Sequence, residues 1–140
     1  MKTIIKIFPL VTFFIFWSCA SQENKVTSEM TITYKAQTRG SIYTIKVEGD
    51  DLKFKNQNEE KKLTLSKKQL LKLQKEVSEI ELNDIENLQA PSEKRYTDGA
   101  MFASFTIQLA ETVYRSSEFD HNNPPKDLRN LYTYMLSLIE

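Results

Sequence analysis

Cysteine, histidine and glycine are nearly missing from this chain of 140 residues, which has one cysteine, one histidine and three glycines. A single cysteine, Cys19, excludes an internal disulfide and any zinc site built on cysteine pairs. One histidine, His121, among scattered carboxylates offers no zinc-ligand spacing, and no Asp-x-Asp-x-Asp run suggests calcium. No metal and no other cofactor is therefore expected. Three glycines leave little room for a backbone phosphate cradle, and neither a Gly-x-Ser-x-Gly turn nor a His-Glu-x-x-His helix occurs. Charge of one sign is lacking too: 19 basic and 19 acidic side chains give a formal net charge of +0. Electrostatics thus supplies no argument for a nucleic-acid partner.

A long hydrophobic run is also lacking, but a short one stands at the start. Lys2 and Lys6 lead into Ile7 to Trp17, eleven mostly apolar residues that end at Ser18-Cys19. As a helix this run covers about 16 Å, near half of a hydrocarbon core roughly 30 Å thick, so it is too short to span a bilayer. A charged leader, an apolar stretch and then small residues is the layout of a secretory signal. Phe16-Trp17-Ser18-Cys19 resembles the lipobox of bacterial lipoproteins, with Phe16 and Trp17 where a Leu-like and a small residue are usual. The resemblance implies cleavage of residues 1–18, diacylglycerol on the Cys19 thiol and acylation of its new amino group. Two or more acyl chains give stable membrane anchorage. The expected location is then the envelope of a bacterium, on the outer membrane. Ser18-Cys19-Ala20 also fits an ordinary signal cut, which would release a soluble secreted protein beginning at Ser21.

Residues 19–29 read as the lipidated cysteine and a polar tether, and 30–140 as one domain. The 19 basic side chains less Lys2 and Lys6 leave 17 against 19 acidic, so the mature part is nearly neutral. Met30, Ile32, Tyr34 and Ala36 alternate with polar residues, as do Tyr43, Ile45 and Val47. Gly49-Asp50 is a hairpin turn of the primed type leading to Leu52 and Phe54, and Leu63 and Leu65 mark a fourth strand. Ser66-Lys67-Lys68-Gln69 is a capping box that opens a helix with Leu70, Leu73, Val77 and Ile80 on one face. Leu82, Ile85 and Leu88 continue the apolar supply. A second hairpin runs through Ala103, Phe105, Ile107 and Leu109, turns at Ala110-Glu111 and returns over Thr112 to Ser117. Asn123 fits a helix N-cap with Pro124 at the first helical position, ahead of a stripe of Leu128, Leu131, Tyr132, Met135, Leu138 and Ile139. The expected class is α+β: an antiparallel sheet of about six strands with two helices on one face. The other face, with Thr31, Thr33, Lys35, Thr44, Lys46, Ser104, Thr106 and Gln108, is expected to be wet.

Two polar clusters flank the second hairpin. One is Lys94, Arg95, Tyr96 and Asp98, and the other is Asp120 and His121. The start of one hairpin strand lies beside the end of the other, which brings Asp98 toward Asp120. Imidazole titrates near neutral pH, so an acid–base pair of His121 with either aspartate is chemically possible. The structural alternative is that Asp98-Gly99 is a turn and Asp120 to Asn123 a cap-rich lead-in to a helix. Lys35, Lys46, Lys53 and Lys55 read as a basic stripe on the wet face or as its ordinary solvation. Aromatics for stacking bases are missing among these lysines, because Tyr34, Tyr43 and Phe54 belong to the inward set.

The stretch from 30 to 140 is similar to small lipoproteins of Bacteroidetes in Tyr34 to Ser41, Asp98-Gly99-Ala100 and Phe119-Asp120-His121 before Pro124-Pro125. That resemblance brings no assigned activity. The expected function is a non-catalytic binding domain on a lipid anchor. Its partner would be an envelope protein or cell-wall component, met through the wet face or the loop from Ser92 to Gly99. The alternatives are an envelope hydrolase using Asp98, Asp120 and His121, and a carrier of apolar cargo between helices and sheet.

Overall fold

Alternation of apolar and polar side chains builds β1 (Met30–Thr38), most of β2 (Ser41–Glu48) and β3 (Asp51–Lys55) in the computed structural model, and the exposed edge strand β4 (Glu60–Thr64) follows by pairing with β3. The structure describes residues 30–140; the proposed signal sequence, Cys19 and the tether lie outside the described residues. The turns between strands are tight. Gly40 and Gly49 take φ of +81° and +60°, which L side chains adopt only with strain.

Ser66 then starts helix α1 (Lys67–Ser78) with both halves of the capping box in place. The Gln69 side chain accepts from the Ser66 N–H at 2.8 Å, and the Ser66 hydroxyl accepts from the Gln69 N–H at 3.4 Å. Leu70, Leu73 and Val77 form its buried stripe. A 3₁₀ segment, Leu82–Asn87, inserts Ile85 into the core, and a 3₁₀ turn, Lys94–Thr97, precedes β5 (Phe102–Leu109) and β6 (Thr112–Arg115).

The sheet is antiparallel throughout, in the order β4-β3-β2-β1-β5-β6, which confirms the α+β class. It has seven strands rather than about six. A two-residue strand, β7 (Phe119–Asp120), returns to β5 beyond β6. Arg115 pairs with Thr106 and Phe119 with Ala103, so Ser116, Ser117 and Glu118 oppose only Ser104 and Phe105. One extra residue is a β-bulge, and it inverts the facing of everything after it. The Ser116 hydroxyl repairs the broken ladder by accepting from the Phe105 N–H at 3.0 Å.

The last helix also starts later than its sequence suggests. Asn123 is not an N-cap: its N–H closes a turn on the Asp120 carbonyl at 2.9 Å. Pro125 forces Pro124 out of the helical region, and Pro125 itself is extended, with ψ of 150°. Helix α2 (Arg129–Ser137) follows only after a 3₁₀ turn at Lys126–Leu128. Leu131, Tyr132 and Met135 bury its inner side, and the Tyr134 hydroxyl donates to the Gln69 carbonyl of α1 at 3.3 Å. The core between helices and sheet is filled by whole side chains, among them Tyr34, Phe105, Phe119, Leu73 and Leu131. Each such side chain contributes about 2–3 kcal/mol by burial.

Candidate functional site

The bulge decides which groups meet. Because it adds one residue, Phe119 turns into the core, Asp120 turns to the opposite face beside Phe102, and His121 turns inward again. The two adjacent polar residues therefore serve two separate clusters.

Asp120 and the segment from Ser92 to Tyr96 form the first cluster, and Asp98, expected to approach Asp120, is not among the carboxylate's partners. Its partners differ from those expected. The carboxylate accepts from the Ser92 hydroxyl at 2.5 Å, from the backbone N–H of Lys94 at 2.8 Å and of Arg95 at 2.9 Å, and from Arg95 Nη1 at 3.2 Å. Asn123 Nδ2 in turn donates to the Ser92 hydroxyl at 2.7 Å. Asp120 and Arg95 are only 2% and 6% exposed. Burial alone would raise the Asp120 pKa, but the Ser92 hydroxyl, the two backbone donors and the guanidinium outweigh it and hold it at about 2. Burial likewise works against the Arg95 charge, and the bonds to Asp120 and Tyr96 overcome it and raise its pKa. A charge pair this dry persists because nearly every polar atom is matched. The exception is Arg95 Nε, buried without a hydrogen-bond partner.

The loop so fixed presents Tyr96. Its ring lies 4.3 Å from the Arg95 guanidinium carbon and packs edge-on against Phe102, yet the residue is 63% exposed. It stands between two surface grooves. The larger, about 780 Å³, is lined by Thr38, Arg39, Asp98, Phe102 and Glu118 besides Arg95 and Tyr96. The other, about 500 Å³, lies toward Asn87 to Ala90 and Glu93. Asp98 is exposed, takes a left-handed φ of 56° at the end of the 3₁₀ turn and belongs to the rim of the larger groove. Lys94 enters through its backbone, and its residue is exposed.

His121 belongs to the second cluster, on the core side. Its Nδ1 lies 2.7 Å from the Tyr34 hydroxyl, and its ring stacks on Tyr34 and meets Tyr43 at a centroid distance of 4.8 Å. Burial lowers its pKa, and Nδ1 and the Tyr34 hydroxyl share this hydrogen bond. Burial also raises the phenols: Tyr34 far above its usual value, and Tyr132 up to about 12. Tyr132 donates to Asn122 Oδ1. Hydroxyls held neutral in this way act as hydrogen-bond donors rather than nucleophiles. Alternation places Tyr34 and Tyr43 inward, but no local pattern connects them to His121. Among the described residues, no group of three potential metal ligands is assembled, and no helix is long and apolar enough to cross a membrane.

A scan against protein-family models finds no match to this chain, and a search of curated proteins finds none either.

Proposed function

We propose that this chain is a membrane-anchored lipoprotein of the bacterial cell envelope, held by acyl groups on Cys19. In this reading its 30–140 domain binds an envelope protein or cell-wall component without catalysing a reaction. The leader pattern and the position of the lone cysteine support the anchor. One observation carries the binding role. The Asp120 carboxylate is committed to four donors of the 92–95 segment, an arrangement that fixes a loop and holds an aromatic side chain out in solvent above a groove. Exposed tyrosine flanked by arginine is the composition that anchors protein interfaces.

The hydrolase alternative asks Asp98 or Asp120 to work with His121. Asp120 faces across the sheet from His121, and Asp98 sits at the groove rim, so the geometry favours binding.

Two measurements test the reading. Intact mass of the protein from the membrane fraction is expected to show a chain beginning at Cys19 with acyl adducts, and an unmodified or uncut N-terminus overturns the anchor. Crosslinking in intact envelopes is expected to give a reproducible adduct that Tyr96→Ala abolishes. An adduct that persists in Tyr96→Ala overturns the groove as the binding site.

A further inference from the structure

We propose that the open face of the sheet docks onto a layer of anionic phospholipid headgroups, through a row of cations that crosses the strands. The register sets Lys62, Lys53, Lys46, Thr33, Thr106 and Arg115 side by side on six neighbouring strands. All belong to the outward set, since Ile45, Val47, Leu52, Phe54, Ile32, Tyr34, Phe105 and Ile107 on either side of them are buried. At about 4.8 Å between strands the row is about 24 Å long. Lys35 and Lys55 join it from the next row, opposite Thr44.

Ordinary roles account for only part of this row. Lysine on an edge strand discourages strand addition, which covers Lys62 on β4, and Arg115 on β6 does the same. Lys46 and Lys53 stand directly opposite each other on the interior strands β2 and β3, and Lys53 stands opposite Lys62. Like charges in such positions destabilise a sheet, and lysine is depleted from strands. Lys46 is matched by Glu48 at 2.8 Å and Lys55 by Glu60 at 3.8 Å. Lys35, Lys53, Lys62 and Arg115 have no ion pair among the described residues. Six cations stand against Glu48, Asp51, Glu60 and Glu118 on this face, with the buried Asp120–Arg95 pair cancelling, so a surplus of two positive charges faces outward from a chain of formal net charge +0.

The shape selects among anionic partners. The cations cover two rows of an open face, whereas the larger groove beside Tyr96 opens at its Phe102 end. Cations spread over two rows suit a layer of many headgroups better than a single threaded polymer. The row carries no aromatic side chain on which bases of a single strand would stack. This surface is separate from the Tyr96 groove and does not rest on acylation of Cys19.

The test is flotation of the full chain with vesicles of phosphatidylcholine alone and with phosphatidylglycerol mixed in. The ratio of the two partition coefficients cancels apolar binding through the leader or through acyl groups, and comparing variants with the parent cancels the pull of Lys2 and Lys6 in the leader. Each lysine near an anionic surface is expected to raise that ratio about five-fold, so Lys46→Gln, Lys53→Gln and Lys62→Gln combined lower it about a hundred-fold. The same number of changes on α1, Lys67→Gln, Lys68→Gln and Lys75→Gln, leaves it nearly unchanged. Added salt weakens the preference of the native chain. If the sheet variant keeps the preference, or both variants lose it alike, the proposal is overturned. Tight binding of soluble polyphosphate without any preference for phosphatidylglycerol also overturns it. Should the triple variant melt below the assay temperature, Lys53→Gln alone decides, with an expected loss of about five-fold.

Discussion

Tyr114 and Phe119 both face the core although they lie an odd number of residues apart on one return strand. In an uninterrupted strand they would point to opposite sides. The extra residue among Ser116, Ser117 and Glu118 reconciles them, and it alone sends Asp120 to the outer face, where Ser92 and Arg95 receive it. Deleting Ser117 makes that spacing even, so a regular ladder keeps Phe119 opposite Ala103 in the core and Asp120 on the outer face. The variant is expected to unfold as cooperatively as the parent; loss of cooperative unfolding would refute the role assigned to the bulge.

Asp120→Asn leaves the Arg95 guanidinium buried without its counter-charge. A loss of about 3 kcal/mol in urea denaturation is expected, with faster amide exchange at Lys94 and Arg95. A variant within about 0.5 kcal/mol of the parent would show that the pair is dispensable.

Acid affects the same carboxylate. Its pKa in the fold, about 2, lies below the ordinary 3.8. The stabilisation is therefore complete above the unfolded-state value and is lost as pH falls through 4 toward 2. About 2 kcal/mol is expected to disappear over that window, and Asp120→Asn should flatten this part of the profile.

At the alkaline end the sign reverses. Tyr34 and Tyr132 are raised above the phenol value of 10.0, so the unfolded chain loses protons first and stability falls as pH rises beyond it. Tyr34→Phe is expected to cost about 1–2 kcal/mol at neutral pH, where it strands His121 Nδ1, and to weaken the alkaline decline. Denaturation midpoints at neutral pH and above pH 10 check both halves.

Ala110 turns the hairpin between β5 and β6 with φ of 51°, a left-handed value that its methyl group disfavours. Ala110→Gly is expected to raise stability by about 0.5–1 kcal/mol. A lower melting temperature would show that chain entropy outweighs the relieved strain.

Most of the fold was legible because it follows from local pattern. Alternation placed Ile32, Tyr34, Ile45 and Val47 inward, Gly49-Asp50 marked a hairpin, and Ser66 with Gln69 marked a helix start. The bulge is hidden because Ser116-Ser117 reads as the fraying end of a strand, and only the odd spacing of Tyr114 and Phe119 signals it. Asn123-Pro124 reads locally as a helix start, but the restriction that Pro125 imposes on Pro124 delays α2 to Arg129. Arg95 and Asp120 were picked out as polar residues near one hairpin, but their burial depends on the 92–95 backbone folding onto a carboxylate, which no periodicity encodes. The lysine row needed the register of five strand pairs, since residues from Lys46 to Arg115 become neighbours only through it.

Strand β1 occupies the middle of the sheet and is clasped along nearly its whole length by β2 and β5. Tension applied at Met30 along this strand would load both ladders in shear at once rather than peel them bond by bond. A domain pulled from that end resists extension with its strongest seam, while its free edges at β4 and β6 carry none of the load.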